Sequence, residues 1–233
     1  MTTYPRIVPF GEGALLVELG DTPTLGENAA AHALGRALEL DPPPGIEALV
    51  PGYVSLLISI DPLADADAIA AHVGRALATL PREPELLTGR LRRVPVVYGG
   101  AHGPDLEDVA ARVQLDPRAV VALHAERELT VYMLGFAPGH PYIGDLPSEL
   151  DPVRRLETPR VRVPRGSVGV VGRQSVIYPR STPGGWPIIG RTPIALWDAE
   201  RDPPAYFSAG DHVRFVPIPE EDWDRHSGPP PDW

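Results

Sequence analysis

Apolar positions recur with two different periods along the first hundred residues. Ala14–Leu19 is a short apolar run after a Gly11-Glu12-Gly13 turn and reads as a strand. Leu25–Leu40 repeats apolar residues at helical spacing, with Ala29, Ala33, Leu34, Ala37 and Leu38 on one face. Asp41-Pro42-Pro43-Pro44-Gly45 stops that helix, since proline lacks the amide hydrogen the next turn needs. Ile46–Val50 and Tyr53–Ile60 flank a Pro51-Gly52 turn and read as strands. Asp65–Leu80 predicts a second helix, with Ile69, Val73, Ala76, Leu77 and Leu80 as its buried stripe. A strand over Leu91–Val97 comes after it. The order βαββαβ is that of a ferredoxin-like α+β domain, assigned to residues 1–85, with Pro81–Pro84 as the linker to the rest of the chain.

Two short helices come next. Asp105 is placed to cap the first, and Asp116-Pro117 opens the second, which ends near His124. From Thr130 the texture changes to short β-rich pieces between Gly and Pro turns. Val161–Val163, Val168–Val171, Val176–Tyr178, Ile188–Ile189, Ala195–Trp197 and Val213–Val216 are the candidate strands of a closed barrel or sandwich spanning residues 86–220. Residues 221–233, rich in Pro and Gly, read as a loose tail.

Composition narrows the chemistry. No apolar run approaches the roughly 18 residues of a membrane span, and the N-terminal residues lack a signal-peptide core, so a soluble cytoplasmic protein is expected. The chain has no Cys, which removes thiol nucleophiles, thiolate metal sites and disulfides. It also has no Lys: all 21 basic residues are Arg. A Walker A phosphate loop, Schiff-base chemistry and covalently attached biotin are thereby excluded on this chain. A net charge of −10 argues against nucleic-acid binding. Yet the segment Arg154–Arg191 holds eight Arg and one acid, a local charge of +7 that suits a small anion, an acidic partner surface or a solvated face with scattered salt bridges. The seven His are dispersed without metal-ligand spacing.

Three segments stand out. Gly135-Phe136-Ala137-Pro138-Gly139-His140-Pro141-Tyr142-Ile143-Gly144 is rigid and reads as either a structural corner or a pocket wall. Val163–Pro179 intersperses strand residues with Arg165, Ser167, Arg173, Gln174, Ser175 and Tyr178. Ser, Gln and Tyr offer neutral hydrogen bonds suited to an amide, and Arg suits a carboxylate or phosphate. Neither Ser167 nor Ser175 reads as a nucleophile, because no neighbouring base is evident. In Ser181–Pro193, Gly184-Gly185 allows close approach and Trp186 either walls a pocket or fills a core.

Taken together, Tyr132-Met133-Leu134-Gly135-Phe136-Ala137-Pro138-Gly139, Thr158-Pro159-Arg160, Val163-Pro164-x-Gly166-Ser167-Val168, Tyr178-Pro179, Pro183-Gly184-Gly185-Trp186, Ile189-Gly190-Arg191-Thr192-Pro193 and Ala209-Gly210-Asp211-x-Val213-x-Phe215 carry a resemblance. The chain resembles the family of bacterial 5-oxoprolinase B subunits. That family includes the kinase inhibitor KipI, proteins labelled allophanate hydrolase subunit 1, and the first subdomain pair of the urea carboxylase carboxyltransferase domain. The resemblance implies a ferredoxin-like domain followed by a cyclophilin-like β-barrel. It implies a partner C subunit and an A subunit, with ATP and Mg²⁺ bound by the assembled complex, and cleavage of the 5-oxoproline lactam to L-glutamate. On this reading Arg160, Arg165 and Arg191 bind anionic groups, Gln174 and Tyr178 hold the lactam or carboxamide, and His124 is the candidate for proton transfer. The other readings are a KipI-like inhibitor of a histidine kinase and the carboxyltransferase component of a biotin-dependent urea or amide carboxylase. The chain departs from the family pattern at His140, where an aromatic is usual, at Asp145, where Gly is usual, and at Arg165 and Arg173, which replace small residues.

Overall fold

A computed structural model describes residues 3–233. The chain forms two compact units, Met1–Leu87 and Thr88–Trp233. Among the described residues no helix is long and apolar enough to cross a membrane.

The first unit contains β1 (Arg6–Pro9), β2 (Ala14–Glu18), α1 (Leu25–Leu40), β3 (Ile46–Pro51), β4 (Ser55–Ile60) and α2 (Ala66–Thr79). Strands β2 and β4 alternate buried and half-buried positions, the period-2 signature of a sheet with one covered face. Thr24 Oγ1 caps α1 by accepting the Glu27 amide, and Asp65 caps α2 by accepting the Ala68 amide. Leu34, Leu38, Ile69 and Val73 of the helices pack on Leu15, Val17, Leu56 and Ile58 of the sheet.

The sheet order is β1-β2-β4-β3, antiparallel throughout. This corrects the expected βαββαβ order to ββαββα. Leu91–Val97, expected as the last strand of this order, lies in the second unit, and an N-terminal strand β1, hairpinned to β2 through Gly11-Glu12-Gly13, is the fourth strand of this sheet. Four residues that follow Pro5 and end in Pro9 give too short a pattern to read as a strand, although an edge strand is where sheet chemistry permits Pro.

The second unit supplies β5 (Leu91–Tyr98), α3 (Leu106–Val113), α4 (Pro117–Ala125), β6 (Leu129–Leu134), β7 (Pro141–Gly144), β8 (Arg160–Val163), β9 (Ser167–Val171), β10 (Gln174–Ile177), β11 (Thr182–Gly184), β12 (Ile188–Arg191) and β13 (His212–Pro217). Seven strands close a barrel in the order β10-β7-β6-β13-β5-β12-β9, with β9 pairing back to β10. All seven place side chains in one buried cluster, among them Val94, Val131, Ile143, Val168, Ile177, Ile189 and Phe215, so this cluster is the barrel interior. Strands β8 and β11, separated in sequence by β9 and β10, form a two-stranded antiparallel sheet of their own. Ala195–Trp197, expected as a barrel strand, makes one isolated bridge, Trp197 with Ala205, because Pro193 and the Pro203-Pro204 pair interrupt a longer ladder.

The tail is also corrected. Two short 3₁₀ turns, Glu220–Asp222 and Asp224–His226, lead to a segment that is pinned rather than loose. Asp232 accepts the Tyr206 hydroxyl at 3.0 Å and pairs with Arg92, while Trp233 packs against the barrel core. Arg92 in turn pairs with Asp211, whose carboxylate also accepts the Arg90 and Ser208 amides at 2.8 and 3.0 Å. Asp211 is buried and Asp232 is half exposed. Removing one partner of a buried pair leaves an uncompensated charge, costing about 3–5 kcal/mol, whereas an exposed pair is worth about 1 kcal/mol or less. In urea denaturation Asp211→Ala is therefore expected to lose several times the stability lost by Asp232→Ala; equal losses would contradict this clasp.

Candidate functional site

Strand β10 divides the chemistry of the second unit. Its side chains alternate, so Ser175 and Ile177 face the barrel interior while Gln174, Val176 and the adjoining Tyr178 face outward. The interior side holds a chain of two hydrogen bonds. His124, at the end of α4, meets the Tyr98 hydroxyl with Nδ1 and the Ser175 hydroxyl with Nε2, both at 2.8 Å, and lies 4.2 Å from the Phe215 ring centroid. His124 is fully buried, and burial pushes its pKa down to about 3. A His therefore does stand beside Ser175, which the sequence pattern did not reveal. Its two nitrogens are already engaged, and Ser175 is as inaccessible as the ring itself. This pair braces the core.

The outward side carries a second cluster. Val163, Val176, Tyr178, Trp186 and Ile188 pack together with Tyr142 and Val171 against them. Strands β7, β9, β10 and β12 thus present one outer barrel face to the β8–β11 sheet. Gly169 leaves room for Trp186, whose β-carbon would lie 2.9 Å from an added methyl. At Gly184 a side chain would collide with the Tyr178 hydroxyl, so the Gly-Gly pair permits close approach here.

The Gly135–Gly144 segment supplies the remaining wall. It turns β6 into β7, held by Gly135 N–H to His140 O at 3.1 Å and His140 N–H to Ala137 O at 3.0 Å. Phe136 takes φ +65°, a left-handed conformation rare for an aromatic residue, and is 63% exposed. His140 lies edge-on to Tyr178, 5.1 Å between centroids, with Tyr142 at 5.1 Å and Phe136 at 5.2 Å. The segment is both a structural corner and a wall of this cluster. Arg155 sits 5.8 Å from the Trp186 ring. Burial raises the pKa of Tyr178, an effect opposed by a hydrogen bond from the Trp186 backbone, reinforced by Tyr142, and opposed again by Arg155 and Arg160.

Three of the expected binding residues belong to this face. Tyr178 is its centre, Gln174 shares its strand face, and Arg160 reaches it from β8. Arg160 Nη2 donates to Asp105 at 2.6 Å, and the other Asp105 oxygen accepts the Ile188 amide at 2.6 Å. Asp105 thus orients Arg160 and makes no side-chain bond to the helix it was expected to cap. The other two lie elsewhere. Arg165 lines a groove of about 290 Å³ with Pro138, Arg180 and Trp197. Arg191 donates from Nε to the Arg165 carbonyl at 2.7 Å and stacks 5.2 Å over Trp223, contacts that brace the chain. His140, Thr182, Arg155 and Asp105 were not identified from sequence as site residues. His140 stood out only as a departure from the family's aromatic. Asp145, the other departure, has φ +71°, the region that favours Gly, and its carboxylate accepts the Tyr132 hydroxyl at 2.8 Å.

Residues 5–207 match the model of the carboxyltransferase domain, subdomain C and D. The 5-oxoprolinase B subunit of Bacillus subtilis is 37% identical, over 96% of this chain and 97% of its own. That of Escherichia coli O157:H7 is 42% identical, over 92% and 97%. Among solved structures, TTHA0988 superposes with a TM-score of 0.75 at 34% identity, over 94% of this chain, which spans only 41% of that longer one.

The interior and outer clusters make one prediction about acid. Burial holds both His124 and His140 neutral, with pKa values of about 3 and about 4 against an ordinary 6.5. As pH falls below 6.5 the unfolded chain takes up protons that the native chain refuses, so stability falls with falling pH, down to about 4 for the His140 contribution and about 3 for that of His124. Replacing His140 by Phe removes one such proton. The slope of unfolding free energy between pH 6 and 4.5 is expected to flatten in that variant, and an unchanged slope would contradict a neutral buried His140. The match across nearly the whole chain, on a barrel of the kind these residues build, makes this chain a member of the carboxyltransferase subdomain C and D family.

Proposed function

We propose that this chain is the B subunit of an ATP-dependent 5-oxoprolinase, opening the 5-oxoproline lactam to L-glutamate in the cytoplasm with A and C partner subunits. One observation carries the reading: two bacterial proteins named as B subunits of 5-oxoprolinase align with it over more than nine tenths of both chains. The chemistry of the outer barrel face suits that role. A lactam ring is flat and weakly polar on its faces, with a donor and an acceptor on its edge. Tyr142, Tyr178 and Trp186 offer aromatic walls, Gln174 and the Tyr178 hydroxyl offer neutral hydrogen bonds, and Arg155 and Arg160 offer charge for the carboxylate.

The chain's own task is to bind and orient. Ser175, with His124 beside it, lies in the barrel interior and is not available for attack. Phosphorylation of the lactam oxygen would make the resistant amide hydrolysable, and that step needs Mg²⁺-ATP. Among the described residues no three His, Asp or Glu side chains gather as metal ligands, and the chain has no Lys. Mg²⁺-ATP is assigned to the assembled complex, since this chain, without Lys, has no Walker A loop of its own.

The test is co-expression with candidate A and C subunits, followed by assay of glutamate release. The co-purified complex is expected to release glutamate from 5-oxoproline only with ATP and Mg²⁺, and the isolated chain to release none. A stable complex that fails to turn over 5-oxoproline would overturn the assignment.

A further inference from the structure

Buried polar atoms in folded proteins are nearly always hydrogen-bonded, because an unpaired one forfeits the bonds it made to water. Around Tyr178 three such atoms lack a partner: Nδ1 of His140, Nη1 of Arg160 and Oγ1 of Thr182. Each reaches the cluster from a different strand or turn. His140 is 2% exposed and meets Tyr178 edge-on from the β6–β7 turn. Arg160 faces it from β8, with its Nη2 end already neutralised by Asp105. Thr182 pairs with Val163 across the two-stranded β8–β11 sheet, so its side chain shares the face on which Val163 packs into the cluster. Gly184, two residues on, lies directly against the Tyr178 hydroxyl. Fold stability would favour three apolar groups here; unpaired polar atoms fit a site that waits for a ligand.

We propose that His140 and Thr182 are ligand-reading residues of this site. His140 Nδ1 accepts the N–H of a small cyclic amide, Arg160 Nη1 donates to its oxygens, and Thr182 Oγ1 completes the ring of contacts. The proposal rests on the function proposed above and adds to it the residues that tell an amide from its hydrocarbon analogue. A neutral imidazole nitrogen can accept in the plane of its ring, where Phe at the same position offers only a ring face and Trp only an N–H donor. A site built to hydrogen-bond a group rejects the analogue lacking it far better than an apolar pocket rejects an extra methylene.

The experiment measures binding to the full purified chain by titration calorimetry, with L-5-oxoproline and with cyclopentanecarboxylate, which keeps ring and carboxylate but lacks the amide. Wild type is expected to bind 5-oxoproline saturably and at least tenfold more tightly than the hydrocarbon acid. His140→Phe and Thr182→Val are each expected to weaken 5-oxoproline by about tenfold, the loss of one hydrogen bond, and to leave cyclopentanecarboxylate unchanged. His140→Gln, which keeps an acceptor, is expected to recover part of the loss and guards against a folding defect in the Phe variant. Absence of saturable binding, equal affinity for the two acids, or variants that bind like wild type would each overturn the proposal. The two readings fail separately. A complex that turns over 5-oxoproline with an unaltered KM in His140→Phe sinks the role of His140 and leaves the function standing. A complex without turnover, in which this chain still binds the lactam through His140, sinks the function and leaves the site.

Discussion

Closure of the barrel rests on the parallel pairing of β13 with β5, six residues in register from His212 opposite Leu91 to Pro217 opposite Val96. Parallel neighbours cannot be joined by a tight turn. Here the connection between them is nearly all of the second unit: two helices, five further barrel strands and the two strands of the β8–β11 sheet. Bringing such distant segments together costs loop entropy that grows only slowly with length, so a modest set of local bonds suffices to hold the seam. Asp211 supplies them by accepting the Arg90 amide across 121 positions of sequence and pairing with Arg92, and Asp232 continues the pairing into the tail.

Once the barrel is closed, strand alternation sorts the polar residues. Ser175 and Tyr178 are three positions apart and so fall on opposite faces of β10 and its continuation. The inward face receives His124 and Tyr98 in a chain with its hydrogen bonds made; the outward face keeps Tyr178 among unpaired donors and acceptors. Buried polar groups of these two kinds differ in consequence. A satisfied network specifies a unique core, while an unsatisfied one is costly unless something else completes it.

Much of this was legible in the sequence. Helical periodicity placed Leu25–Leu40 at its observed bounds, and Asp116 caps the helix that Asp116-Pro117 was expected to open. The change to short strands after Thr130 marked the barrel, and Gln174 and Tyr178 share the outward face. Other features depended on long-range partners that no local pattern encodes. The β1 edge strand is too short to show a period. Leu91–Val97 is a good strand by composition, but only β13, far downstream, decides which sheet it joins. Asp105 has the sequence of a helix cap, and the stronger demands of the Ile188 amide and Arg160 claim its carboxylate. Arg191 sits in a motif that suggests a ligand residue, yet the Arg165 carbonyl and Trp223 occupy its guanidinium. His140 differs from a core histidine only in its missing partner, which is a property of three-dimensional surroundings.

The central claim is that the outer barrel face around Tyr178, and not the interior around Ser175, receives the ligand. A crystal structure of the chain soaked with L-5-oxoproline tests it most directly. The account predicts lactam density beside Tyr178, with His140 Nδ1 and Arg160 Nη1 in hydrogen-bond contact and the His124–Ser175 pair unchanged. Ligand bound elsewhere, or ordered water filling those contacts in the presence of saturating ligand, would contradict it.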